Sequence, residues 1–129
     1  MREILFKAKR IDNGEWVEGY YYKRIQEKEI VDAIEKCDGT VYSIEYYQIK
    51  TETLCQYTGL TDKNGNKIWE NDVVYIPYAH LEDTYCKVIF TFGSFIGELA
   101  DGTHDSILSR NAEVIGNIFD NPELLEGGN

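Results

Sequence analysis

The chain has 129 residues with 43% hydrophobic and 28% charged residues, which suits one domain or two very small ones and a core that needs no disulfide or metal support. Lys and Arg number 13 against 23 Asp and Glu, a net charge of −10. Residues 1–36 hold eight of each and are balanced, so the whole excess falls on residues 37–129, which disfavours binding of a phosphate backbone there. No run of about 18 apolar residues exists to span a membrane, and the N-terminal stretch lacks the apolar core of a signal peptide.

In chain order, "REILFKAKR" alternates Ile4, Phe6 and Ala8 against Glu3, Leu5 and Lys7. Asn13-Gly14 follows as a two-residue hairpin signal with φ > 0 expected at both positions, and "WVEGYYYKR" returns as the second strand. Residues 2–24 thus read as a hairpin. "EIVDAIE" reads as a strand that pairs with "VYSIEYYQI" through a turn at Asp38-Gly39, with a short helix in residues 25–35 as the alternative. "KTETLCQYTGLTD" reads as a connection into a second unit.

Beyond it, strands are expected near 67–75, 84–92, 94–100 and 112–119, with a tight hairpin around Gly93-Ser94. "HDSILSR" reads as one helical turn, and Asn121-Pro122 as the cap and first residue of another. The expected fold is mainly β: an N-terminal β-hairpin subdomain over residues 1–54 and a small SH3-like barrel over 55–129, with few helical turns.

The stretch "TDKNGNKIWENDVVYI", residues 61–76, imitates a calcium loop, with Asp62, Asn64 and Asn66 at alternate positions. With Asp62 first, position 6 is Lys67 where an EF-hand needs Gly, and position 12 is Val73, which cannot ligate. The residues fit better as a hairpin loop tipped by Asn64-Gly65, with a kink at Asn71-Asp72 before Val73, Val74 and Ile76 enter the core.

Other chemistry is sparse. Cys37, Cys55 and Cys86 form no C-x-x-C pair and fit a reducing cytoplasm. His80 lies near Glu82, Asp83 and Cys86, and His104 beside Asp105 and Ser106; either group has the residue types of a metal site or a Cys-His pair, but such spacing arises readily in acidic loops. The tyrosine runs at 20–22 and 46–47 place some rings outward on a strand, where they serve cross-strand packing or an interface. "KAKR" and "YYYKR" are the basic-aromatic material a nucleic-acid module would use.

"QYTGLTDKNGNKIWENDVV", residues 56–74, resembles the signature of the YopX family of phage and prophage proteins. Gln56, Tyr57, Thr58, Gly59, Leu60, Asp62, Gly65, Ile68, Trp69, Glu70, Asp72 and Val74 fit its pattern, and Asn71 departs from the usual Gly. "REILFKAKR" and "EVIGNIFDNPELL" resemble the family's opening and closing segments, while residues 25–50 do not align. The resemblance implies a small, mainly β protein encoded by a phage or prophage; with the cysteine pattern, the expected location is the cytoplasm of the bacterial host. It implies no reaction, and it carries no catalytic residue, metal or cofactor. The signature residues are turn and core types, expected to specify the fold.

Three functions compete: a non-catalytic accessory protein acting by protein contact or self-association, an acidic decoy for a host protein that binds nucleic acid, and a small metal- or Cys/His-dependent enzyme. The first is preferred, with a protein partner or a second copy as the binding partner and no small-molecule substrate in view.

Overall fold

A computed structural model describes residues 4–36, 45–79, 82–105 and 111–125. The chain is mainly β, as expected, and divides into two units, Met1–Tyr57 and Thr58–Asn129.

The first unit contains β1 (Phe6–Lys9), β2 (Trp16–Gln26), β3 (Glu29–Lys36), β4 (Glu45–Gln48) and the start of β5 (Cys55–Thr61), in the spatial order β4-β3-β2-β1-β5 with antiparallel neighbours. "EIVDAIE" is a strand and not a helix. It pairs with β4 inside "VYSIEYYQI", as expected, and on its other side with β2 through a turn at Glu27-Lys28, both at positive φ (51° and 70°). Positive φ at both central residues is the geometry of a two-residue turn that matches strand twist, although neither residue is a turn former. The expected Asp38-Gly39 turn lies outside the described residues.

The loop at Asn13-Gly14 is wider than expected. Only Gly14 has positive φ (73°), and Arg10 N–H donates to the Glu15 carbonyl across a four-residue loop. The Asn13 carboxamide oxygen accepts the Glu15 N–H at 2.9 Å, so the side chain replaces the left-handed backbone that a two-residue turn would require of it.

The sheet of this unit curls back on itself. Just past β4, the Ile49 N–H donates to the Asp32 carbonyl of β3, while Ile11 donates to Gln48 and Lys50 to Lys9. The chain at 48–50 is therefore bonded to β3 and to the end of β1. The space inside is filled by Ala8, Val17, Ile34 and Ile49, with Phe6, Tyr21, Tyr47 and Leu54 against them. Gly19 permits the curl: a methyl group there would collide with the Glu35 carbonyl of the paired strand.

The second unit holds β6 (Lys67–Trp69), β7 (Asp72–Ala79), β8 (Glu82–Thr91), β9 (Ser94–Glu98), β10 (His104–Asp105) and β11 (Glu113–Asn117). Five of these form an antiparallel sheet ordered β10-β9-β8-β7-β11. Its core is Ile68, Val74, Ile76, Cys86, Val88 and Ala112, flanked by Leu60, Phe95, Leu99 and Val114. Val74, Ile76, Cys86 and Val88 come from alternate positions of β7 and β8, the period of a strand with one buried face. The stretch read as one strand over 67–75 is broken at Glu70-Asn71, where Asn71 takes φ 71°. The tight hairpin centres on Phe92-Gly93, one residue earlier than expected. The closing Pro122–Leu124 turn is a 3-10 turn, and the Asn121 side chain, expected as its cap, instead accepts the Asn117 N–H at 3.3 Å. The helical turn expected at "HDSILSR" falls mostly outside the described residues.

Candidate functional site

The signature residues come together around two turns. Asp62 is buried, and its carboxylate accepts three backbone N–H groups: Asn64 and Asn66 on Oδ1 and Val114 on Oδ2, each at 2.9 Å. Burial alone would push this carboxyl up, but the Val114, Asn66 and Asn64 donors outweigh it and hold the group below the usual carboxylate range. The turn closes with the Asp62 N–H on the Asn66 carbonyl and the Gly65 N–H on the Asp62 carbonyl, with Gly65 at φ 84°. Both carboxylate oxygens of Asp62 thus act as acceptors that close the turn, the structural role expected of a hairpin loop.

The second turn is closed by Asp72, which is buried and accepts the Trp69 N–H at 2.8 Å. Asn71 supplies the left-handed residue; its N–H donates to the Val88 carbonyl and its own carbonyl accepts the Ile118 N–H. Asparagine tolerates this conformation where the family usually has Gly. Thr58 Oγ1 donates to the Ile68 carbonyl at 2.7 Å and accepts the Leu60 N–H, which spans the irregular backbone at Gly59, φ 87°. Tyr57, Ile68, Trp69 and Val74 are buried, Leu60 packs on the core, and Gln56 and Glu70 are half-buried. Of the segment read as a connection, 50–62, residues 51–53 form a 3-10 turn and 55–61 form a strand, because β1 and β6 supply its partners.

The other sequence candidates do not converge. Cys86 is fully buried in the apolar core, and its expected partner His80 lies outside the described residues, as does Cys37. His104 sits on β10 with Nε2 3.8 Å from a Glu98 carboxylate oxygen and its ring 6.5 Å from Phe92; Ser106 is outside the described residues. Among the described residues no three His, Cys, Asp or Glu side chains gather as a metal site would require.

Two polar clusters in the first unit were not legible from spacing. Asp32 accepts from Thr51 Oγ1 (2.6 Å), Tyr21 OH (2.7 Å) and Lys23 Nζ (2.9 Å). Those donors, Thr51 foremost, lower its carboxyl to about 2. An open cleft of about 420 Å³ is lined by Arg10, Glu15, Trp16, Glu18, Lys36 and Tyr47 among others. Lys7 lies over the Trp16 ring at 4.6 Å and Arg10 over Tyr47 at 4.0 Å, while the Arg10 guanidinium also holds Asp12. "KAKR" is thus engaged with aromatics and acids of its own unit.

The outer surface carries apolar side chains at two hairpin ends. Ile25 and Ile30, directly paired beside the Glu27-Lys28 turn, are 78% and 70% exposed. Phe90 and Phe92, at the end of the β8–β9 hairpin, are 52% and 92% exposed.

No helix among the described residues is long and apolar enough to cross a membrane. No curated protein matches the chain. The crystal structure of protein EF1440 from Enterococcus faecalis is similar, with a TM-score of 0.60 and 25% identity over 98% of this chain and 100% of that one. The family model described as YopX protein matches residues 5–126, nearly the full length, and the chain belongs to the YopX family.

Proposed function

We propose that this is a non-catalytic accessory protein of a phage or prophage that works inside the host cell by protein–protein contact. The observation that carries the reading is the placement of large apolar side chains at the two hairpin ends, Ile25 with Ile30 and Phe90 with Phe92. Isolated exposed hydrophobics are ordinary, but pairs at projecting turns are the surface from which interface anchors are drawn. The signature carboxylates Asp62 and Asp72 spend their lone pairs on backbone N–H groups, which supports a structural role for the signature.

The acidic-decoy reading receives less support. It needs free carboxylates in a phosphate-like row, whereas Asp62 and Asp72 are buried, Glu113 pairs with Lys63, and Glu98 with Lys87.

The test is affinity capture from lysate of the source cells with the wild-type chain and a variant carrying Ile25→Ser, Ile30→Ser, Phe90→Ser and Phe92→Ser. The expected result is a protein retained in stoichiometric amount by the wild type and lost by the variant, with light scattering to detect self-association in the same samples. An identical retained set for both, and a monomer throughout, would overturn the reading.

A further inference from the structure

We propose that the end of the β8–β9 hairpin is a docking tip whose anchor is Phe92, and that its occupant is a protein surface bearing an apolar pocket ringed by Lys and Arg. The inference rests on the contact reading above and names the surface and the partner's chemistry.

The argument starts from what Phe92 does for its own fold. It occupies the first central position of a two-residue turn, between Thr91 and Ser94, with φ 51°. That conformation suits Gly, Asn or Asp, and an aromatic side chain there is unfavourable. The ring is 92% exposed and meets the edge of the His104 ring, 6.5 Å away between centroids, so folding buries little of it. Phe92 is therefore unfavourable to the backbone and gains little from the core, and the compensating interaction lies outside the chain.

The neighbours complete an anchor. Phe90 is half-exposed and meets Phe95 edge-on with ring centroids 4.9 Å apart, while Phe95 packs on the core. The floor of the tip is thus fixed and Phe92 projects from it. The segment from Phe90 to Phe95 carries no charge, in a unit with twelve Asp/Glu against four Lys/Arg. An uncharged aromatic tip on an acidic unit suits an interface whose centre is apolar and whose partner is basic. The net charge of −8 on this unit selects a basic counterpart. The same charge opposes docking against the same unit of a second copy, or against an anionic membrane surface.

The experiment places a photoreactive benzophenone amino acid at position 92, and separately at position 30, in the full chain added to lysate of the source cells. The partner joined through position 92 is then purified and titrated with the wild type and with Phe92→Asn. The expected result is a distinct protein joined through position 92. Its binding weakens at least about tenfold with Phe92→Asn and again between low and high salt. Over the same substitution the melting temperature rises by about 4 °C, because Asn suits the left-handed turn. Opposite signs for binding and stability separate a docking residue from a structural one. Joining through position 30 alone overturns the tip and leaves the contact reading standing; joining through neither site overturns both. A product of two copies of this chain, a lipid adduct, salt-independent binding or a fall in melting temperature each overturns the tip.

Discussion

Asp32 and Asp62 are both carboxylates with three donors and a lowered pKa, yet they stabilise the fold in different ways. Asp62 is served chiefly by backbone N–H groups, two from its own turn and one from Val114, fifty-two residues on, with the Asn66 side chain as a lesser donor. Asp32 is served by side chains alone, from β2 at Tyr21 and Lys23 and from the 3-10 turn at Thr51. Backbone donors cannot swing away to water when their acceptor is lost, whereas side-chain donors can. Equal numbers of hydrogen bonds therefore correspond to unequal dependence of the fold, and it is the backbone-served carboxylate that belongs to the family signature.

The largest break in this comparison is Asp62→Ala. It leaves three backbone N–H groups without their acceptor and removes one of the links from the loop to β11, while the Lys63 N–H to the Ala112 carbonyl remains. Each orphaned buried donor costs about 1–3 kcal/mol, with partial recovery by water, so the expected loss is about 3–5 kcal/mol. Urea unfolding checks it. A loss under about 1 kcal/mol would show that the turn holds without its carboxylate.

Next comes Asp32→Asn, expected to cost about 1–2 kcal/mol because Tyr21, Lys23 and Thr51 can turn to water. The pH dependence sharpens the contrast. The folded-state value of about 2 lies below the unfolded value of about 3.9, so the contribution is fully present above pH ~4 and fades as pH falls toward ~2. Asp62 shifts in the same direction and adds to the same acid limb. Stability measured from pH 6 to pH 2 should fall less steeply in Asp32→Asn than in the wild type, and an unchanged slope would remove Asp32 from the account. Thr51→Val follows, at about 1 kcal/mol, since it deletes the 2.6 Å donor and leaves two others on the carboxylate.

The same contrast explains what the sequence made legible. Asp62 and its loop could be read because donors, acceptor and Gly65 lie within five consecutive residues, and local chemistry of that kind is written in order along the chain. Its third donor, Val114, could not, nor could the three donors of Asp32, because they meet only after β2 and β3 pair. Asn71 announced a left-handed turn through its side chain. Glu27-Lys28 announced nothing, because that turn is imposed by the register that sets Ile25 beside Ile30. Asn13-Gly14 promised a turn of the wrong width, since the Asn13 side chain can do what its backbone would otherwise have to. Residues 55–61 looked like a connection because one strand partner, β1, is about fifty residues away and the other, β6, is only three residues long.

The smallest expected effect is that of Lys23→Met. Lys23 is mostly exposed and meets Asp32 at 2.9 Å, where water and salt screen the pair. Its methylene stem survives in Met, so packing is kept and the charge alone is removed. The stability change should be smaller than for Thr51→Val and should vanish at high salt. A double-mutant cycle with Asp32→Asn isolates the pair. Coupling that persists in high salt would mean that Lys23 works as a buried partner, and would move Asp32 closer to the behaviour of Asp62. Coupling that fades would leave Thr51 and Tyr21 as the donors that hold Asp32 and, through it, the curl of the first sheet.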